Sequence, residues 1–248
     1  MQLRLLLFKY CKKAEVYFKS AIANAISLKT GDAGFYLDKQ YYTPTRSEKD
    51  KKTRNKNVLF FNTRFFAGLT SDEEKLRRDV VKHPELKEYR RGGTRQNNVL
   101  PVWAAFSYFE MGTIVMLYSY LRGDLRKEVL NYTYPGNNYK KETTKQMDTW
   151  LDAIRNLRNY CAHHSMLAGM TSSVVIPDNR DSSDVLPDNT NLYSRLYALK
   201  KILPQKDGDM LAEELDKLIW KTKLDIYKMN ILPTNWRALY NKILSLHG

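Results

Sequence analysis

The chain has 248 residues, 43% of them hydrophobic and 12% aromatic, which is enough to bury a core as one domain and excludes disorder as its main state. Lysine and arginine number 41 against 27 acidic residues, a formal net charge of +14, so an anionic, phosphate-bearing partner is the first expectation. The two cysteines, Cys11 and Cys161, have no second Cys or His pair at metal spacing. A disulfide scaffold or zinc module is therefore excluded, no metal or cofactor is expected, and a reducing cytoplasm fits.

Helical periodicity runs through nearly the whole chain. Residues 3–28 repeat apolar side chains at three- and four-residue spacing (Tyr10, Ala14, Phe18, Ile22, Ile26) and stop at Thr30-Gly31-Asp32, which predicts an amphipathic first helix. The short apolar run from Leu5 to Phe8 lacks the length and cleavage site of a signal peptide. A polar connection is expected over 43–57, where Lys51, Lys52 and Arg54 belong to a basic cluster suited to solvent or to RNA phosphates. The aromatic run 58–69 reads as core, and Thr70-Ser71-Asp72-Glu73-Glu74 after it has the caps and acids of a helix start. A second basic loop, near 90–99, carries Arg90, Arg91 and Arg95 around Gly92-Gly93; it reads as a flexible loop first and an RNA contact second.

Residues 102–121 are apolar enough to raise a membrane span, but Glu110 lies near the middle. A buried core helix is favoured, because a charge at mid-bilayer is costly. A further helix is expected over 142–167, then an irregular Ser-, Asp-, Asn- and Pro-rich excursion over 171–190, then amphipathic segments around 193–203, 210–228 and 235–246. No strand period or internal repeat stands out. The expectation is a single all-α domain spanning 1–248.

The helix near residue 160 carries the chemistry. At about 100° per residue, measured from Arg155, the side chains of Trp150, Ile154, Leu157, Tyr160, Cys161 and His164 fall within an arc of roughly 140° to 260°, which goes to the core. Arg155, Arg158, Asn159, Ala162 and His163 take the opposite side. His164 is thus expected inside the protein and His163 outside it, on one face with Asn159 and within reach of Arg158. An imidazole beside a guanidinium and an amide has the parts to bind a phosphodiester and move a proton. A merely solvated face is the competing reading of those residues taken alone.

Arg158-Asn159-Tyr160-Cys161-Ala162-His163 resembles the Arg, polar residue, spacer, His motif of HEPN-superfamily ribonucleases, and Leu157 to Ser165, LRNYCAHHS, resembles the abortive-infection (AbiD/AbiF-type) Abi-like family. Leu100-Pro101-Val102-Trp103, Gly112-Thr113 and Leu117-Tyr118 are similar to that family's central helix, and Leu232-Pro233-Thr234-Asn235-Trp236 to its C-terminal element. The chain departs from the pattern after the double histidine, where Met166 to Met170 replaces a Leu-Trp-Asn-Arg-like stretch. It departs also at Ser107, where relatives carry an acid; Glu110 is the acid expected to orient Arg158 or Arg155 instead. Glu15 and Lys19 resemble the acid and base of the family's first conserved helix, within which Met1 is expected to fall.

The resemblance implies a HEPN-like helical bundle with extra helices and long basic loops. It also implies a metal-independent endoribonuclease that acts as a toxin-like anti-phage effector, regulated by or bound to a non-coding RNA. In that scheme the substrate's 2′-hydroxyl attacks the neighbouring phosphorus and leaves a 2′,3′-cyclic phosphate. His163 serves as general acid or base, Arg158 clamps the phosphate, Asn159 holds the imidazole or an oxygen, and Glu110 and Arg155 support them. One motif per chain implies a homodimer that completes a composite site. The alternative is a non-catalytic RNA-binding or interaction module of a phage-defence complex; DNA binding is weaker, with no recognition-helix pattern.

Overall fold

The computed structural model describes residues 1–45, 51–79, 82–90, 99–136, 141–177, 184–223 and 225–246. Among these residues every extended regular element is a helix, and the strand-like pairing is an isolated bridge between Tyr42 and Leu121. The fold is all-α. The helices are α1 (Gln2–Thr30), α2 (Lys51–Phe60), α3 (Ala67–Arg78), α4 (Lys87–Arg90), α5 (Val102–Tyr108), α6 (Met111–Tyr120), α7 (Gly123–Thr133), α8 (Lys141–Ala162), α9 (Leu192–Ile202), α10 (Gln205–Thr222) and α11 (Trp236–Lys242). They fall into two compact units, residues 1–18 with 134–248, and residues 19–133.

In the unit of residues 19–133, rings make the core. Tyr36 packs edge-on to Phe106 and Phe109, and Tyr42 meets Phe61, Phe65 and Phe66. A π-helical stretch, Phe61–Phe66, joins α2 to α3, so residues 51–78 are helical without a break. This corrects two expectations. The basic stretch expected as loop up to residue 57 is helical from Lys51, because 51–66 contains neither Gly nor Pro and is rich in lysine and arginine, good helix formers. The capping signature at 70–74 opens no helix: Thr70 Oγ1 donates back to the Phe66 carbonyl one turn earlier, and Glu73 is buried, accepting the Leu100 N–H at 2.9 Å.

The apolar helix expected over 102–121 is two helices. Phe109 and Glu110 adopt extended backbone, ψ 138° and 153°, which places Glu110 at the N-cap of α6 and leaves it exposed. Burying an uncompensated carboxylate in a continuous helix would be costly, and the break avoids it. The Lys19 ammonium donates to the Phe109 carbonyl at 2.5 Å at this break.

In the other unit, α8 packs mainly against α9, with Trp150 edge-on to Tyr197. Residues 1–18 of α1 are tied to α10 by Lys9–Glu214 at 2.7 Å and Lys13–Asp207 at 2.5 Å. Arg195 on α9 is fully buried and anchors the irregular excursion, donating to the Val174 carbonyl at 2.5 Å, the Ser194 hydroxyl at 2.6 Å and the Asn189 carbonyl at 3.4 Å. The excursion thus owes its fixed path to a charged donor inside the unit rather than to helical hydrogen bonds.

Cys11 and Cys161 are both buried free thiols. Burial pushes the Cys161 thiol from 9.0 up to about 11 and raises Cys11 well above its ordinary range, with the nearby Cys161 adding to the latter. A raised folded-state value favours the neutral thiol, so the stability that Cys161 contributes is intact below pH 9 and is lost as pH climbs toward 11. Iodoacetamide at pH 8 is expected to leave both thiols of the native protein unmodified and to alkylate both after unfolding. Modification of the native protein at the rate of a free thiol would contradict this burial.

Candidate functional site

The residues of the motif sit on the last turns of α8 and the turn that follows. The helix ends at Ala162 rather than near 167. His163 still donates its backbone N–H to the Asn159 carbonyl at 2.9 Å, whereas His164 takes a left-handed φ of 59° and the Ser165 N–H returns to the Tyr160 carbonyl at 3.0 Å. That is a Schellman-type stop, with histidine at a position usually held by glycine. Helical projection therefore stops applying at residue 163. His164, expected in the core, is exposed, and its Nδ1 lies 3.2 Å from the Ala162 carbonyl.

The expected exposure of His163 is met. Asn159, one turn earlier, and Arg158 are half-buried. Arg158 has its guanidinium 6.0 Å from the centre of the Phe8 ring and one amino group 3.3 Å from the Asn159 amide oxygen; its buried Nε has no hydrogen-bond partner. No described carboxylate pairs with it. Arg158 is thus a half-buried cation held by a ring and a neutral amide, with donors available to an anion.

Arg155 is placed differently. It is bound at 2.5 to 2.7 Å to Asp152, one turn back on the same helix. Glu110 belongs to the other unit. Lys51, Lys52 and Arg54, also in that unit, are exposed on α2, a helix with no buried residue. Arg90 ends α4, and Arg91 and Arg95 lie outside the described residues. Glu15 is buried and paired to Lys12 at 2.9 Å.

Two residues of the site are not singled out by the sequence reading. Arg4 donates from one amino nitrogen to the carbonyls of His164 and Ser165, at 3.0 Å each, and so holds the turn carrying both histidines. Phe8 backs Arg158. Arg4 and Phe8 are four apart on α1 and share a face, and that spacing was the available signal. An arginine near the end of a terminal helix face ordinarily reads as solvated, so the pattern alone does not distinguish them.

A family model described as Abi-like protein matches residues 1–168. The chain belongs to the Abi-like family, and the matched region contains Arg4, Phe8 and the whole of the Arg158–His163 motif. Membership points to abortive infection as its biological setting. No curated protein and no solved structure matches the chain.

Because Arg4 bonds the carbonyls of both His164 and Ser165, Arg4→Ala is expected to lower stability by about 1.5–3 kcal/mol, the range for hydrogen bonds to a charged group. It should also speed amide exchange at Ser165 while leaving the middle of α8 protected. Unchanged exchange at Ser165 would show that the turn holds without Arg4.

Proposed function

We propose that this Abi-like protein is a metal-independent endoribonuclease of the HEPN type, acting as an abortive-infection effector. The carrying observation is Arg158: a half-buried guanidinium set on Phe8, with no described carboxylate to neutralise it, on the helix end that presents an exposed His163. A phosphate supplies the missing countercharge. The nucleophile is already in the RNA.

In the proposed reaction the 2′-oxygen forms a bond to phosphorus while the bond from phosphorus to the 5′-oxygen breaks. An imidazole takes the proton from the 2′-hydroxyl, an imidazolium gives one to the departing 5′-oxygen, and Arg158 stabilises charge on the non-bridging oxygens. Asn159, in contact with Arg158, orients that clamp. Since each chain brings one motif histidine, a two-fold homodimer places a second His163 opposite the first, so that one accepts while the other donates. The exposed cations of α2, Lys51, Lys52 and Arg54, fit contact with RNA phosphates, whether of substrate or of a resident non-coding RNA.

Purified protein is expected to cut single-stranded RNA in the presence of EDTA and to leave 2′,3′-cyclic phosphate and 5′-hydroxyl ends. His163→Ala and Arg158→Ala should each reduce the rate by roughly 10²-fold or more, the scale of a lost acid–base or charge-stabilising group. Growth arrest on induced expression should disappear with them. An obligate monomer should cleave poorly. RNA bound by the wild type with no cleavage, and growth effects identical in His163→Ala, would instead assign a non-catalytic RNA-binding module.

A further inference from the structure

The last turn of α10 and the loop after it carry a surface that neither the motif nor the core explains. Trp220 is 83% exposed, Tyr227 50% and Met229 45%. Lys217, Lys221, Lys223 and Lys228 surround them in sequence, all exposed and with no ammonium paired to a described carboxylate, while Asp225 among them accepts the Lys228 backbone N–H at 3.0 Å. Lys217, Trp220 and Lys221 share one face of α10, at spacings of three and four. The acids Glu214 and Asp216, further back on the helix, are taken up by Lys9 and Arg237.

The surface is held in shape. Lys223 ends α10 in a left-handed conformation, φ 50°. Beyond it, buried Ile226 anchors the loop, its carbonyl accepting from Ile231 N–H at 2.8 Å, while Asn230 N–H closes onto the Tyr227 carbonyl at 3.0 Å. Tyr227 and Met229 are thereby kept outward. The Asn230 carbonyl accepts the Gly169 N–H at 3.2 Å, which ties this loop to the segment continuing from the His163–His164 turn in the same unit.

We infer that Trp220 and Tyr227, with Lys217, Lys221, Lys223 and Lys228, form a stacking platform for single-stranded RNA, which leads a strand to the site at Arg158 and His163. Aromatic faces stack on any base and lysines neutralise the backbone, so such a platform binds without sequence preference. A lipid surface fits less well. The apolar face of α10, including Leu211 and Leu215, is already buried, so no apolar stripe remains for a bilayer. The inference extends the ribonuclease reading by naming where its substrate enters, but binding and cleavage are separable.

The test uses the full chain bearing His163→Ala, so that RNA survives, and a fluorescein-labelled 12-nucleotide single-stranded RNA of mixed sequence read by anisotropy. Adding Trp220→Ala with Tyr227→Ala should weaken binding roughly tenfold or more, the effect of losing a stacked base, while Trp220→Phe should retain it. Replacing Lys221, Lys223 and Lys228 by Gln should lessen the slope of log affinity against log salt by about 0.7 per lysine removed. All these positions are exposed, so the variants should fold. If affinity for RNA is unchanged by the aromatic pair, the platform is overturned even where the wild type cleaves RNA. If the wild type cleaves nothing yet RNA binding still depends on Trp220, the platform stands and the nuclease falls. Trp220-dependent binding to phosphatidylserine vesicles with none to RNA would also overturn it.

Discussion

A half-buried guanidinium without a carboxylate is a poor way to stabilise a fold, since desolvating a cation costs free energy that only a partner returns. Arg158 is held in that condition by Phe8 on one side and the Asn159 amide on the other. The neighbouring Arg155 shows the contrast: three positions earlier on the same helix, it is closed by Asp152. Of the two arginines, one is neutralised and the other is paired to no described carboxylate, and the latter lies on the helix end that leads into the motif histidine. This asymmetry is the observation on which the proposed site rests.

The end of α8 is built to keep that arrangement in place. The left-handed turn at His164 halts the helix immediately after the motif, and Arg4 caps the carbonyls of His164 and Ser165. Residues of α1 thus supply both the clasp for the turn and, through Phe8, the floor beneath Arg158. Further on, Gly169 is bonded to Asn230, so the segment leaving the histidines is fixed at a second point. The basic, aromatic loop near Tyr227 is positioned by that same bond.

Much of this was legible in the sequence. The 3.6-residue period gave an all-α fold, and the outward placement of His163 followed from the helical wheel. The wheel failed one residue later, because it assumes an unbroken helix, whereas α8 ends at Ala162 and His164 turns left-handed. The same assumption joined α5 to α6 across Glu110, whose charge was the local reason for a break. The basic stretch after residue 43 read as loop because polarity was weighed above helix propensity, although Lys51 to Phe66 contains no breaker. Arg4, Phe8 and Arg195 could not be assigned from spacing alone, since their partners lie far away in the chain.

The central claim is that Arg158 and His163 receive a phosphodiester together. It is tested most directly by NMR of the isotope-labelled protein, following the Arg158 Nε–H and the His163 ring as a 2′-deoxy-substituted, uncleavable oligonucleotide is added. The account predicts that both signals shift along one saturating curve, and that the phosphorus resonance at the substituted linkage shifts with them. Saturable binding with both side chains unperturbed would contradict it.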